Sequence, residues 1–210
     1  MSLLFVTANP KQVQESYSLQ LGDYFLAEYL KHRPAEKVEK LDLFDADLPP
    51  LKREELALWE RHGEGSGEEG SVSNPYVEQF LKADIIVFVT PLWNMSFPSQ
   101  VKAYVDHLII PGKTFRFTEA GIEGLMQHKK MVHIQSRGGV YSEGPLKSLE
   151  HGDSYLRTIF GLTGIKDYYH LFIEGTSTFP EEVKGRMMKS KEQASQLAET
   201  LALSGERGKE

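Results

Sequence analysis

The sequence contains no cysteine, and this absence excludes disulfides, thiolate catalysis, iron–sulfur clusters and cysteine-based zinc sites together. It also has no apolar run close to the roughly 18 residues that a membrane-spanning helix needs. The N-terminus shows neither a basic leader nor the apolar region of a signal peptide. We therefore expect a cytoplasmic protein with no membrane partner.

Basic residues are also fewer than acidic residues. The chain carries 24 Lys and Arg residues against 30 Asp and Glu residues, which gives a formal net charge of −6. The phosphate field of a nucleic acid would on average repel such a chain. We therefore expect no nucleic-acid partner.

Several motifs that identify a reaction mechanism are missing. The sequence contains neither GxGxxG nor GxxxxGK[ST], and it has no GxSxG. The seven histidines form no HExxH motif and no i, i+4 pair, so no metal site is predicted. His133 and His170 fall inside predicted strands, and we interpret them as structural residues.

Short apolar runs alternate with longer amphipathic segments along the 210 residues. This order is typical of an α/β protein whose parallel sheet is covered by helices on both faces. The predicted strands are Leu3–Thr7, Val38–Phe44, Asp84–Thr90, Met131–Ser136 and Tyr168–Ile173. The predicted helices are Ser18–Lys31, Arg53–His62, Pro75–Ala83, Pro98–Ile109, Ser154–Leu162 and Pro180–Leu203.

We expect a single domain over residues 1–203, followed by a frayed tail over residues 204–210. The segment Gly63–Gly70 is rich in glycine and glutamate, so it should be a mobile excursion. It is not a domain boundary, because too few strands lie on either side of it to form two cores.

Three loops that follow predicted strands are unusual. The first leads into a helix that begins near Ser16 and Ser18. Free backbone N–H groups and the helix dipole at such a terminus suit a phosphate, and the two hydroxyls could add donors. The alternative is that Ser16 is only a helix cap.

The second loop, Pro91–Pro98, carries large apolar side chains where a surface turn would normally be polar. A flat ligand or a partner subunit would cover them, unless the turn folds back into its own core. The third loop, Ser136–Tyr141, places Gly138 and Gly139 after a buried strand, where a backbone could approach a ligand closely. Together the loops predict a pocket for a phosphate at one side and a flat heterocycle at the other.

Four stretches carry a resemblance to a known family: Pro91–Asn94, Pro98–Asp106, Gly112–Glu119 and Ser136–Gly139. They resemble the FMN-dependent NADH azoreductases, a family that also reduces quinones and has a flavodoxin-like fold. The similarity extends from the first strand to Glu174 and Gly175, so it covers nearly the whole chain. It implies a flavodoxin-like sheet of five parallel strands, FMN as cofactor and NAD(P)H as electron donor.

The resemblance also implies site residues. FMN would be bound by Asn9, Ser16, Tyr17, Ser18, Pro91, Leu92, Trp93, Asn94, Met95, Ser136, Arg137, Gly138 and Gly139. The substrate pocket would contain Phe97, Phe117 and Leu162. Many relatives have a serine where this chain has Asn9 and Pro10, some have tyrosine at Phe117, and some have phenylalanine at Leu162.

The implied activity is ping-pong, two-electron reduction of quinones and azo compounds through flavin N5, with no catalytic side chain because the cofactor carries the chemistry. The alternative is a flavodoxin-type electron carrier without turnover of its own. Such carriers are usually shorter than this chain.

A homodimer is also predicted, with the active site at its interface. On the predicted helix Pro98–Ile109, residues 101, 104, 105, 108 and 109 form an apolar stripe that a monomer would leave partly wet. A second copy would cover it. The alternative is a monomer whose stripe packs on its own sheet.

Overall fold

The computed structural model describes residues 1–57 and 73–204, and the predicted excursion Gly63–Gly70 lies outside this part of the chain. The strands are β1 Ser2–Thr7, β2 Lys37–Asp42, β3 Ile85–Pro91, β4 Phe115–Thr118, β5 Gly121–Gly124, β6 Lys130–Ser136 and β7 Asp167–Ile173. Each predicted strand is present, with ends that differ from the prediction by at most two residues.

The central sheet has the strand order β2-β1-β3-β6-β7, and all of its strand pairs are parallel. Every residue of β3 is buried, as expected for a central strand that is covered on both faces. From β1 the chain moves outward to β2 and then returns to β3 on the other side of β1. This order is flavodoxin-like and confirms the predicted fold class.

The helices are α1 Tyr17–His32, α2 Pro75–Lys82, α3 Ser99–Leu108, α4 Gly152–Leu162 and α5 Val183–Ser204. Of the predicted helix Arg53–His62, residues 53–57 are helical and the remainder lies outside the described residues. The predicted start at Pro180 is a 3-10 turn, Pro180–Glu182, that precedes α5. Ser204 still belongs to α5, so the predicted tail begins one residue later, and residues 205–210 are not described.

Side chains alternate along the strands and build one core on each face of the sheet. On one face, Phe5 and Val87 pack with residues of α1 and α5. On the other face, Val6 and Phe88 pack with residues of α2, α3 and α4. The sheet is therefore covered by helices on both faces, as predicted.

The apolar stripe of α3 does not face solvent. Val101, Tyr104, Val105 and Leu108 are fully buried within one chain, where they pack in the same core as Phe88. The structure thus adopts the alternative in which the stripe packs on its own sheet, and the stripe gives no reason for dimerisation. A dimer interface would have to use other residues.

The antiparallel hairpin of β4 and β5 was not predicted from the sequence. Phe117 pairs with Ile122 across the hairpin, and these side chains are 60% and 52% exposed. Because only the first residue of β4 is buried, the hairpin has no core-facing alternation that a sequence pattern could have shown.

Gly22 lets α1 lie close to the sheet. A Cβ atom at this position would stand 2.8 Å from Val89 Cγ2, closer than side chains pack. The helix can take this position only because residue 22 has no side chain. The position of α1 in turn fixes where its N-terminus lies relative to the end of β3.

Candidate cofactor-binding cleft

A cleft of about 290 Å³ opens at the carboxyl ends of the central strands, on both sides of the β1/β3 switch point. This is where ligands bind in open α/β sheets. The cleft is lined by Asn9, Lys11, Glu15, Ser16, Tyr17, Pro91, Leu92, Trp93, Ser136, Arg137, Gly138, Thr176 and Ser177. All three loops that the sequence singles out therefore meet at one place.

Two buried polar side chains, Asn9 and Ser16, line one end of the cleft, and the buried Ser18 lies beside Ser16 without being a lining residue. Asn9 donates from Nδ2 to Ser16 Oγ at 2.8 Å, and Ser16 Oγ lies 3.1 Å from Ser18 Oγ. Ser16 is also the N-cap of α1, because its hydroxyl accepts the N–H of Leu19 at 3.3 Å. The cap interpretation of Ser16 is thus correct, and the capping hydroxyl still lines the cleft.

The same helix terminus leaves donors free for a ligand. The N–H of Leu19 is bound by Ser16 Oγ, and the N–H of Gln20 by the carbonyl of Ser16. Within the described chain, the N–H groups of Tyr17 and Ser18 have no such partner, as is usual for the first turn of a helix. Two free N–H groups at the positive end of the helix dipole suit an anion.

Lys11 and Glu15 also line this end, and the sequence analysis missed both. Lys11 is exposed, and its N–H donates to Asn9 Oδ1 at 3.0 Å, so the side chain leaves the backbone directly beside the polar cluster. Its position two residues after Asn9 is a signal that could have been used. A lysine at this place adds positive charge for a phosphate.

The second loop makes a tight turn after β3. Trp93 and Ser96 exchange two backbone hydrogen bonds, of 2.7 and 2.9 Å. The residues between them, Asn94 and Met95, both have positive φ, at 49° and 66°. An αL backbone is tolerated by asparagine but costs an unbranched residue such as methionine about 1 kcal/mol or more. The turn holds Trp93 at the cleft, whereas Asn94 and Met95 stand at its tip, outside the cleft lining.

In the third loop, Gly138 lines the cleft and Gly139 stands behind it. A Cβ atom would meet Ser177 Oγ at 2.9 Å from Gly138, and Tyr141 Cε2 at 3.0 Å from Gly139. Neither glycine has positive φ, so a residue with a side chain fits at either position only if the neighbouring Ser177 or Tyr141 side chain moves. Thr176 and Ser177 also line the cleft, and neither was predicted from the sequence. Both follow β7, the strand beside β6.

Arg137 lines the cleft, yet its guanidinium is buried and held by protein groups. Nε donates to Gln135 Oε1 at 2.6 Å, and the terminal nitrogens lie 3.3 Å from His170 Nε2 and 3.5 Å from Glu174 Oε2. Glu174 also accepts the N–H groups of Tyr141 and of the residue after it, at 2.8 and 3.0 Å. The Arg137–Glu174 pair thus ties down the third loop.

The residues assigned to the substrate pocket lie outside this cleft. Phe97 lines a neighbouring cavity of about 460 Å³ that shares Trp93 with the cleft. Phe117 is at the exposed hairpin, and Leu162 is the last residue of α4. Within one chain the structure therefore does not bring Phe117 and Leu162 into the cleft.

A buried polar cluster lies behind the cleft. Asp153 Oδ1 is 3.0 Å from His133 Nδ1, and Oδ2 is 3.3 Å from His170 Nδ1. Burial alone would raise the pKa of Asp153, but hydrogen bonds from His133 and Tyr168 hold it well below its ordinary value. Burial lowers the pKa of His170 to about 2. Asp153 is therefore ionised and His170 neutral near neutral pH.

The fold and the cleft define an α/β protein with a parallel sheet and a cleft at its β1/β3 switch point. The chain matches a family model described as flavodoxin-like fold over residues 1–198. It belongs to this family, as the resemblance of its motifs predicted. Within the described residues, no helix has both the length and the apolar character needed to cross a membrane.

Similar proteins have closely related names. The chain is 39% identical over 191 residues to FMN-dependent NADH:quinone oxidoreductase 3 of Bacillus anthracis. The matched region covers 87% of this chain and 90% of that protein. It is 40% identical over 205 residues to FMN-dependent NADH:quinone oxidoreductase of Staphylococcus haemolyticus, covering 95% and 99%.

Two solved structures are also similar. The azoreductase from Bacillus anthracis str. Sterne superimposes with a TM-score of 0.86 at 34% identity, covering 94% of this chain and 99% of that one. An FMN-dependent NADH-azoreductase from Bacillus anthracis str. Ames Ancestor, in complex with FMN, gives a TM-score of 0.79 at 28% identity, covering 94% and 100%.

Proposed function

We propose that this protein is an FMN-dependent oxidoreductase that uses NAD(P)H to reduce quinones and azo compounds. The observation that carries the proposal is the pair of free N–H groups at the start of α1, beside Asn9, Ser16 and Ser18, at the switch point of a flavodoxin-like sheet. The names of the relatives and of the solved structures support the same activity.

The residues fit a flavin mononucleotide at its phosphate end. A terminal monophosphate is a dianion that accepts several hydrogen bonds, and the N–H groups of Tyr17 and Ser18 together with the hydroxyls of Ser16 and Ser18 would supply them. Asn9 positions the Ser16 hydroxyl from behind, through its 2.8 Å hydrogen bond. Lys11 would neutralise part of the charge at the mouth of the cleft.

At the other end, Pro91, Leu92 and Trp93 would lie along the flat ring, and Ser136, Arg137 and Gly138 would meet its polar edge, with Gly139 behind them. When bound, FMN supplies the hydride transfer itself, to and from flavin N5. This chain would bind and orient the ring and exclude water from it, so we assign no catalytic side chain. Because donor and acceptor would use the same face, they alternate, and ping-pong kinetics follow.

We further assign the protein as a homodimer of single FMN-binding domains over residues 1–203. The support is a set of exposed large apolar side chains, which a second copy would cover: Phe117 and Ile122 on the hairpin, and Trp93 and Met95 on the second loop. The partner copy would also bring Phe117 and Leu162 towards a cleft that they do not reach within one chain. A cytoplasmic location stays a prediction.

The test is direct. The purified protein should be yellow or turn yellow with added FMN, and chromatography of the denatured sample should yield FMN and not FAD. NADH and a quinone should then give steady turnover, with parallel lines in double-reciprocal plots. A protein that binds FMN but shows no turnover would be an electron carrier, and a protein that binds no flavin would contradict the proposal.

A further inference from the structure

The N-terminus of α4 is connected to both ring-side loops of the cleft. The N–H of His151, which precedes α4, donates to the carbonyl of Met95 in the second loop at 2.9 Å. Glu150 accepts from Gln135 Nε2 at 3.2 Å, and Gln135 in turn accepts from Arg137 at 2.6 Å. A second path runs from Asp153 through His170 to Arg137.

The groups on either side of His170 determine which of its ring nitrogens carries the hydrogen. Nδ1 of His170 lies 3.3 Å from Asp153 Oδ2, an ion-pair contact in which the carboxylate can only accept. The guanidinium of Arg137 can only donate, so Nε2 of His170 must present its lone pair. His170 is therefore a neutral ring with one fixed tautomer, held between a carboxylate and a guanidinium.

His133 makes the parallel path to the end of β3. Its Nδ1 lies 3.0 Å from Asp153, and its Nε2 lies 2.9 Å from the Thr90 hydroxyl, which directly precedes Pro91 of the cleft. Asp153 places the hydrogen of His133 on Nδ1, and the Thr90 hydroxyl, which can donate or accept, does not oppose the other tautomer. The two paths share Asp153 but differ in how firmly their far ends fix the ring.

A metal ion is the competing interpretation, since ligand atoms of His133, Asp153 and His170 all lie within 4.8 Å of one another. The two imidazole rings are stacked, with centroids 5.0 Å apart and planes only 7° from parallel. A metal lies close to the plane of each imidazole that binds it, and a single ion cannot lie in two separate parallel planes. The ring geometry therefore fits a carboxylate that is hydrogen-bonded to His133 and in ion-pair contact with His170.

We propose that Asp153 is a positioning residue for the ring end of the cleft, which acts through His170 on Arg137 and through His133 on Thr90. Arg137 and Glu174 then hold the third loop in the shape that meets the flavin edge. The inference rests on the proposed function, because it takes FMN as the ligand of that loop. Its hydrogen-bond part concerns the protein alone.

That part is tested on the protein without flavin, by nitrogen NMR of its histidine rings. In the wild type, His170 should carry its hydrogen on Nδ1. In Asp153→Asn the side-chain amide has an oxygen that accepts and an NH2 group that donates. Because Arg137 cannot accept, Nε2 of His170 stays an acceptor and the ring hydrogen stays on Nδ1. The amide oxygen must therefore face His170. His133 should then move its hydrogen to Nε2 while His170 keeps its tautomer. A wild-type His170 protonated on Nε2, or an unchanged His133 in Asp153→Asn, would overturn the proposal.

The effect on the cleft is tested with a pair of variants at His170. His170→Gln retains a donor facing Asp153 and an acceptor for Arg137, whereas His170→Phe retains ring stacking but neither polar contact. FMN affinity, measured by quenching of flavin fluorescence, should fall about tenfold in His170→Phe and return close to wild type in His170→Gln. If His170 acted only by packing, His170→Phe would bind FMN more tightly than His170→Gln. That result would refute the positioning role.

Arg157→Gln is the matched control, because Arg157 donates to Asp153 Oδ2 at 3.4 Å from the solvent side and makes no hydrogen bond to either histidine within the described residues. It should bind FMN as the wild type does. If the wild type itself binds no FMN, the proposed function fails, and the NMR result still decides whether the tautomers are as assigned.

Discussion

Ser16 Oγ lies 3.1 Å from Ser18 Oγ, and both hydroxyls are buried at the start of α1. The two serines nevertheless differ in what they do for the fold. Ser16 also caps the helix by accepting the N–H of Leu19, whereas the hydrogen bonds of the Ser18 hydroxyl go only to Ser16 and Asn9 within the described residues. Substitution can therefore separate stability from ligand binding.

Ser18→Ala should weaken FMN binding by roughly 1.5–3 kcal/mol, the range for a hydrogen bond to a charged group, and should leave the free energy of unfolding nearly unchanged. Ser16→Ala should reduce both quantities, with about 1 kcal/mol lost from stability because the cap is removed. Flavin titration and a denaturant melt of both variants check this. Unchanged FMN affinity in both would show that the phosphate binds elsewhere.

Gly138→Val should weaken FMN binding at least tenfold. Its Cβ atom would stand 2.9 Å from Ser177 Oγ, so the branched side chain must displace a residue that lines the cleft. The matched control is Gly185→Ala in α5, where an added Cβ meets no atom within 4 Å. The control should bind FMN normally and gain about 0.5–1 kcal/mol of stability. Equal affinities in the two variants would mean that the glycine loop does not approach the flavin.

The protein should lose stability as the pH falls below about 6.5, the ordinary pKa of histidine. Burial lowers the pKa of His170 to about 2, so in this range the unfolded chain binds a proton that the folded chain does not. The free energy of unfolding should drop by about 1.4 kcal/mol per pH unit from this group. His170→Phe should show a shallower decline in denaturant melts at pH 4 to 7. An equally steep decline in the variant would exclude His170 as its source.

Phe117→Asp should produce monomers. Phe117 is exposed and pairs with the exposed Ile122 on a surface hairpin, so the substitution leaves both cores intact. Sedimentation should show a dimer for the wild type and a monomer for the variant, which should bind FMN but reduce quinone poorly. Met188→Asp is the control, since Met188 on α5 is 71% exposed and belongs to a different surface. A dimeric Phe117→Asp protein would remove the hairpin from the interface.

Much of the fold could be predicted from patterns in the sequence. The run Ile85–Pro91 is apolar at nearly every position because both faces of β3 are covered, and Asn74 before Pro75 predicts the start of α2 that the structure confirms. The hairpin around Phe117 escaped prediction because its side chains are mostly exposed, so no alternation marks its strands.

The cleft was predicted loop by loop, because residues that follow parallel strands must meet at one edge of the sheet. The same rule applied to β7 would have found Thr176 and Ser177. The Asp153 cluster could not be predicted, because His133, His170 and Asp153 belong to two strands and a helix, and only packing brings them together. Their spacing along the chain shows none of the short-range patterns of a site.

The most direct test of the function is to follow the two half-reactions separately, without oxygen, in a stopped-flow spectrometer. We predict that NADH bleaches the visible absorbance of the bound FMN in a single step, and that a quinone added afterwards restores it fully within the turnover time. Bound FMN that NADH cannot reduce, or reduced FMN that a quinone does not reoxidise, would contradict the proposed function.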